Sequence, residues 1–192
     1  MGIEHLRRPK RFVTGHDGAG KAVFLSGGEA PQFHSLPGPS VSGVELIELW
    51  ATNAVPAAIT PVEPAEPNDR PLRIPPPDNG AIFRIVDFHP GHIEKSPSRE
   101  DGRPAGFHRT QTIDYGVLIE GELHLRLDDD TVVMRPGDVV IQRGTAHAWE
   151  NRSSEIARIA FVLLDGRFSP ELDQAFSSDH DIQASAQRLI ET

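Results

Sequence analysis

Residues 108–151 read HRTQTIDYGVLIEGELHLRLDDDTVVMRPGDVVIQRGTAHAWEN, and this stretch decides the fold. Short runs of β-branched and aromatic residues follow one another at regular spacing, without a helical period between them. Acidic residues at 128–130 and the Pro136-Gly137-Asp138 turn separate the runs. Short strands joined by such turns are typical of an antiparallel sandwich or barrel. We therefore predict an all-β fold.

Polar residues recur at every second position along the first strand of this stretch, which is the spacing of one face of a strand. Strand alternation places four of them together, namely His108, Thr110, Thr112 and Asp114. In a later strand, His147 shares its parity with Trp149. An imidazole or carboxylate that is buried without a partner destabilises a fold. The convergence of two histidines and one acid therefore indicates either a satisfied polar network or a metal site.

The predicted metal ligands are His108, Asp114 and His147. Two histidines and one carboxylate form the ligand set that holds iron(II) and leaves positions open for substrate or dioxygen. The same donors suit zinc, nickel and manganese, so the sequence predicts a divalent metal without selecting one. The alternative is a polar pocket without metal, in which His108 hydrogen-bonds to Asp114.

Further residues are candidates for lining a substrate pocket: Arg109, Thr110, Thr112, Arg143 and Trp149. A guanidinium pairs bidentately with a carboxylate, so the two arginines predict an anionic group on the substrate. The alternative places both arginines at strand edges on the surface. Trp149 forms an apolar wall of the pocket or packs in the core. We expect Tyr115 to point away from the face that carries Asp114.

The N-terminal part of the chain shows further strand patterns. Residues 11–25 predict a hairpin, and residues 44–50 and 81–88 each predict a strand. The GxxxxGK pattern from Gly15 to Lys21 is interpreted as a turn, because Ala22 replaces the hydroxyl that binds magnesium in a phosphate loop. Prolines exclude helix and central strand from much of 51–80. His89 and His92 flank a turn and are predicted to be exposed or supporting residues.

The C-terminal tail changes to a helical pattern. Ser169 and Pro170 have the residue types of an N-cap and a first helical position. Apolar residues then recur at helical spacing, at Ile182, Ala186, Leu189 and Ile190. We predict three parts: an N-terminal strand extension at 1–80, a barrel at 81–165, and a helical tail at 166–192.

Composition restricts the classes of partner. The chain has 192 residues, no cysteine and a formal net charge of −9. This acidic balance argues against a nucleic-acid partner, since phosphate binding needs a basic surface. No apolar run is long enough to span a bilayer, and no apolar leader follows the basic N-terminal residues. We therefore expect a cytoplasmic protein with neither a nucleic-acid nor a membrane partner.

At the residues above, the chain resembles the cupin superfamily, whose first motif is G(X)5HXH(X)3-4E(X)6G. Here His108 and Gly121 match that motif, and Asp114 stands at the Glu position. The second motif, G(X)5PXG(X)2H(X)3N, is matched by Gly137, Gly144, His147 and Asn151. Thr110 stands in place of the second histidine, and the proline of the second motif is missing beside Arg143. The resemblance covers about 81–164 most specifically, and it extends to phrases of the N-terminal part.

The resemblance implies a cupin double-stranded β-helix, or jelly-roll, barrel with an N-terminal strand extension and a short C-terminal helix. It implies a homodimer and a divalent metal inside the barrel. It also implies an enzyme of oxygenase, isomerase, decarboxylase or lyase type acting on a small organic molecule, in aromatic or polyketide metabolism. Two alternatives stay open, a metal-free ligand-binding sensor or carrier and a structural or interaction protein.

Overall fold

The computed structural model describes residues 6–36, 43–60, 72–92, 102–103 and 106–177, and within them the fold is almost entirely β. One short helix follows the strands. The elements are β1 (Lys10–His16), β2 (Ala22–Glu29), β3 (Gln32–Leu36), β4 (Val44–Thr52), β5 (Ala81–Phe88), β6 (Thr112–Glu120), β7 (Leu123–Arg126), β8 (Thr131–Met134), β9 (Val139–Arg143), β10 (Ala148–Glu150), β11 (Ala157–Asp165) and α1 (Pro170–Ala175). The all-β prediction is confirmed.

Two antiparallel sheets pack face to face to form the barrel. The larger sheet has six strands in the order β3-β4-β5-β11-β6-β9, and the smaller has three in the order β10-β7-β8. One apolar cluster joins Leu118 and Phe161 of the larger sheet to Leu125, Met134 and Trp149 of the smaller sheet. The core therefore lies between the two sheets, as in a jelly roll.

Strand β6 alternates between the barrel interior and the outer surface. Its inward residues Thr112, Asp114 and Leu118 are buried, whereas Tyr115 and its outward neighbours are exposed. The expectation that Tyr115 points away from Asp114 is confirmed. This alternation brings the polar residues of the predicted site strand into the interior.

Strands β1 and β2 form the predicted hairpin as a separate two-stranded sheet, whereas β3 and β4 extend the larger sheet. Strands β1 and β2 pair antiparallel, and the Asp17 carboxylate accepts hydrogen bonds from the amides of Ala19 and Lys21 in the turn between them. The GxxxxGK pattern is thus a hairpin turn. Strand β4 pairs with both β3 and β5. Arg158 of β11 forms a bidentate pair with Asp87 and donates to the Arg7 carbonyl, which ties the N-terminal segment to the barrel.

The C-terminal helix begins where the residue types predict. Ser169 is the N-cap in extended conformation, and Pro170 is the first helical residue of α1. The apolar positions 182–190 lie outside the described residues, as does 61–71 of the Pro-rich crossing. In the part of the chain that the structure describes, no helix is long and apolar enough to cross a membrane.

Candidate functional site

His108 and His147 lie directly opposite each other at an isolated β-bridge. Each amide donates to the other residue's carbonyl, with N···O distances of 2.9 Å. The two imidazole rings are 4.4 Å apart between centroids and inclined at 56°. The main chain therefore fixes the separation of the two histidines, which lie 39 positions apart in sequence.

Both histidines have the same hydrogen-bonding arrangement at Nδ1. His108 Nδ1 lies 2.9 Å from the Gly106 carbonyl, and His147 Nδ1 lies 2.9 Å from the Thr145 carbonyl. Because a carbonyl oxygen can only accept, Nδ1 carries the hydrogen and donates it. In a neutral ring this tautomer leaves the lone pair on Nε2. An imidazole held through one nitrogen by a backbone carbonyl is the usual state of a metal-ligating histidine.

Burial keeps these rings neutral. It lowers the pKa of His108 from its usual value, and hydrogen bonding to Gly106 opposes this only in part. It lowers the pKa of His147 to about 3, with a further contribution from the neighbouring His108. Neutral imidazoles are the form that donates a lone pair to a metal or accepts a proton.

Asp114 does not join the histidines in a ligand cluster. Within the described ranges, no group of three or more His, Cys, Asp or Glu side chains is arranged to hold a metal ion. The two histidines thus fit the donor requirements of a metal, whereas no third protein ligand among the described residues is grouped with them. The role of Asp114 as a ligand stays a prediction.

Asp114 instead ends a row of hydroxyl groups along the site strand. Thr110 Oγ1 and Thr112 Oγ1 are 2.7 Å apart, and both side chains are buried. Burial raises the pKa of Asp114 to about 6, while hydrogen bonding to Thr112 and the positive charge of Arg84 act in the opposite direction. Since a carboxylate can only accept, Thr112 donates to Asp114, and Thr110 then donates to Thr112.

Gln142 and a buried ion pair extend this polar interior, and the sequence analysis missed them. Gln142 of β9 is the cross-strand partner of Asp114 and is buried beside it. Arg84 lies 2.9 Å from a Glu48 carboxylate oxygen and donates to the Arg73 carbonyl, and both charged side chains are buried. One signal was available, because Arg84 shares the parity of the apolar residues Ile82 and Val86.

The two arginines predicted for an anion site lie in different environments. Arg109 is buried, and its guanidinium carbon lies 3.6 Å from the centroid of the Phe176 ring, in the C-terminal segment. Arg143 is exposed and pairs with Ile113 on the outer face of β6. The structure therefore does not bring Arg143 together with the interior polar residues.

Trp149 connects the histidines to the apolar core. Its ring lies 6.4 Å from His147 and 5.6 Å from Phe161 between centroids, both in edge-on geometry. Phe88 packs on it from β5 at 6.4 Å. Trp149 is thus a core residue and an apolar neighbour of the histidine pair, and its role in lining a substrate pocket stays a prediction.

Comparison with known proteins gives a family match over the same region. The model of the family described as "Cupin domain" matches residues 85–163, which contain His108, Asp114 and His147. This range begins within β5 and ends within β11, so it contains the small sheet together with β6, β9 and most of β11 of the large sheet.

Several fungal proteins are similar over most of the chain. Phomopsin biosynthesis cluster protein C' of Diaporthe leptostromiformis is 35% identical over 168 residues, covering 84% of this chain and 81% of that protein. The cupin-domain-containing oxidoreductase virC of Hypocrea virens is 35% identical over 167 residues, covering 83% and 77%. For the cupin-domain-containing oxidoreductase fogC of Aspergillus ruber, the identity is 35% over 170 residues, covering 85% and 75%. The chain therefore belongs to the cupin superfamily.

Proposed function

We propose that this cupin is an oxidoreductase that acts on a small organic molecule during the biosynthesis of a natural product. Two relatives that align with more than four fifths of the chain are named as cupin-domain-containing oxidoreductases, and another is named for a biosynthesis cluster. The observation that carries the proposal is the pair of neutral imidazoles, His108 and His147, held 4.4 Å apart between ring centroids and beside Trp149.

We further propose that this pair binds a divalent metal through the two Nε2 atoms. Iron, zinc, nickel and manganese all accept imidazole nitrogen, so the donors alone do not select one. When bound, such an ion supplies Lewis-acid or redox chemistry. Catalytic sites for zinc or iron commonly have three protein ligands, and Asp114 stays the predicted third.

The chain's own residues have separate tasks in this proposal. The carbonyls of Gly106 and Thr145 hold the two rings in the ligating tautomer. Trp149 and Phe161 exclude water from the apolar side of the site. A metal-free ligand-binding cupin is the second candidate, and it is favoured by the lack of a three-residue ligand group among the described residues.

Metal content tests the proposal. We expect the purified protein to contain about one equivalent of a divalent metal, measured by elemental mass spectrometry, and His147→Ala to lose most of it, because one of few ligands is gone. His124→Ala, at a histidine of β7 in the small sheet, is the matched control and should retain the metal. The metal content of Asp114→Asn tests separately whether Asp114 is the third ligand.

The outcomes separate the two candidates. Metal retained in His147→Ala would contradict the assignment of the site. If the native protein holds no metal even after reconstitution, the metal-free ligand-binding cupin is the remaining candidate. A metal content unchanged in Asp114→Asn would remove Asp114 from the predicted ligand set while leaving the histidine pair in place.

We also propose that the chain forms a homodimer through the outer face of the large sheet. Exposed apolar residues lie side by side across its strands, because Tyr115 pairs with Ile141 and Val117 with Val139. Phe83 continues the first of these rows through β11. Copies with a net charge of −9 repel one another least where they meet through uncharged surface. A cytoplasmic location stays a prediction.

A further inference from the structure

Two complementary polar atoms in the barrel interior lack hydrogen-bond partners. Asp114 Oδ1 is an acceptor and Gln142 Nε2 is a donor, and neither atom has a partner among the described residues. The two residues are direct cross-strand partners on β6 and β9. Their side chains are 5% and 4% exposed, so bulk water does not satisfy them.

An unpartnered buried polar group costs about 1–3 kcal/mol, and most such groups in folded proteins have a partner. Asp114 Oδ1 and Gln142 Nε2 are neighbours and complementary, yet they do not bond to each other. A third group located between them would satisfy both. That group must donate to the carboxylate and accept from the amide.

A hydroxyl group meets both requirements with a single oxygen atom. A carboxylate does not, because it has no hydrogen to donate, and the negative charge of a carboxylate or phosphate is repelled by Asp114. An ammonium does not, because it has no lone pair for the amide hydrogen. We propose that Asp114 and Gln142 together bind a hydroxyl group, alcohol or phenol, of the substrate.

The surroundings fix the direction from which this hydroxyl approaches. Gly116 is the next inward residue on β6, and a Cβ there would lie 2.7 Å from Phe161 and from Val140. The interior is therefore filled on that side of Asp114. On the other side lie the hydroxyls of Thr112 and Thr110, in the direction of His108 along the chain. A bound hydroxyl thus reaches the pair from the polar side of the barrel.

This inference rests on the proposed function, because the bound molecule is a substrate only if the protein is an enzyme. The hydroxyl site itself requires no metal. Its test is binding of phenol and of toluene, which has a methyl group in place of the hydroxyl, to metal-depleted protein by ligand-observed NMR. We expect phenol to bind at least roughly tenfold more tightly, because its hydroxyl gains a hydrogen bond to the Asp114 carboxylate and one from the Gln142 amide. Gln142→Met should reduce the preference, because it removes one of the two hydrogen bonds, while Gln174→Met on the exposed helix α1 should leave it unchanged.

A crystal structure with phenol provides the second measurement and needs no variant. We expect the phenol oxygen within hydrogen-bond distance of Asp114 Oδ1 and Gln142 Nε2. Equal binding of phenol and toluene, an undiminished preference in Gln142→Met, or a bridging water that phenol does not displace would each overturn the inference. These results are independent of the metal content of His147→Ala, so this inference and the metal proposal can fail separately.

Discussion

His92 links the stability of the fold to pH at the scale of one residue. Its ring packs on Phe88 at 5.2 Å between centroids, and burial together with the charge of His89 lowers its pKa to about 4. In the unfolded chain a histidine titrates near pH 6.5. Between these values the unfolded state binds more protons, so the free energy of unfolding falls as the pH falls from about 6.5 toward 4.

We expect His92→Phe to reduce this acid sensitivity while preserving the ring contact with Phe88. At pH 5, His92 lowers the free energy of unfolding by on the order of 2 kcal/mol, and this effect is absent above about pH 7. The measurement is urea unfolding at pH 7 and pH 5, with the exposed His16→Phe as the control. Burial raises the pKa of Asp114 to about 6, so the folded state binds more protons at this group, and its contribution to the free energy of unfolding rises as the pH falls. An equal loss of stability in wild type and His92→Phe would contradict the prediction.

Residue patterns also set the limit of sequence prediction at the site. The inward face of β6 followed from the motif that contains His108 and Asp114. Gln142 was missed because VVIQR has apolar residues at both parities, so alternation alone does not show that Val139 and Ile141 lie exposed and Gln142 inside. Alternation assigns a face to Asp114 but gives no distance to the histidines, because that distance depends on how the strand bends.

At the scale of elements, the C-terminal segment covers the outside of the site strand. Phe176 packs on Arg109, and its ring lies 5.1 Å from that of Phe168. Phe168 in turn occupies the space beside Gly144, where any Cβ would collide with its ring. Arg109 and Gly144 lie close in sequence to His108 and His147, so the tail supports the backbone that holds both histidines.

We expect Phe176→Ala to release this segment. Loss of the ring removes a buried cation–π contact and the partner of Phe168, so amide hydrogen exchange in 168–177 should accelerate by roughly tenfold. Leu172→Ala, at an exposed leucine of α1, is the matched control and should exchange as the wild type does. Unchanged protection in Phe176→Ala would show that the segment is held by other contacts.

The ends of a strand were predictable where glycine or proline residues flank it. Strand β5 covers 81–88 as predicted, because Gly80 precedes it and Pro90-Gly91 follows it. Strand β4 extends to Thr52, two residues beyond the predicted 44–50, because Ala51 and Thr52 continue the pairing with β5 after a bulge. Local pattern cannot anticipate pairing that the neighbouring strand supplies.

For the whole molecule, the apolar outer face predicts self-association. We expect the wild-type protein to be a dimer by light scattering, and Ile141→Lys to weaken the dimer by about 100-fold or more, because it buries a charge in the interface. Val132→Lys is the control, since Val132 is an equally exposed valine on β8 of the small sheet. A monomeric wild type would contradict the prediction, and so would a variant that remains fully dimeric.

The bridge between His108 and His147 has a consequence for how this family diversifies. Two backbone hydrogen bonds, which depend on no side chain, hold these positions in register. Natural selection can therefore exchange the side chains at this bridge while the inherited backbone remains as it is. New reactivity can arise in descendants through single substitutions at positions that the main chain already holds together.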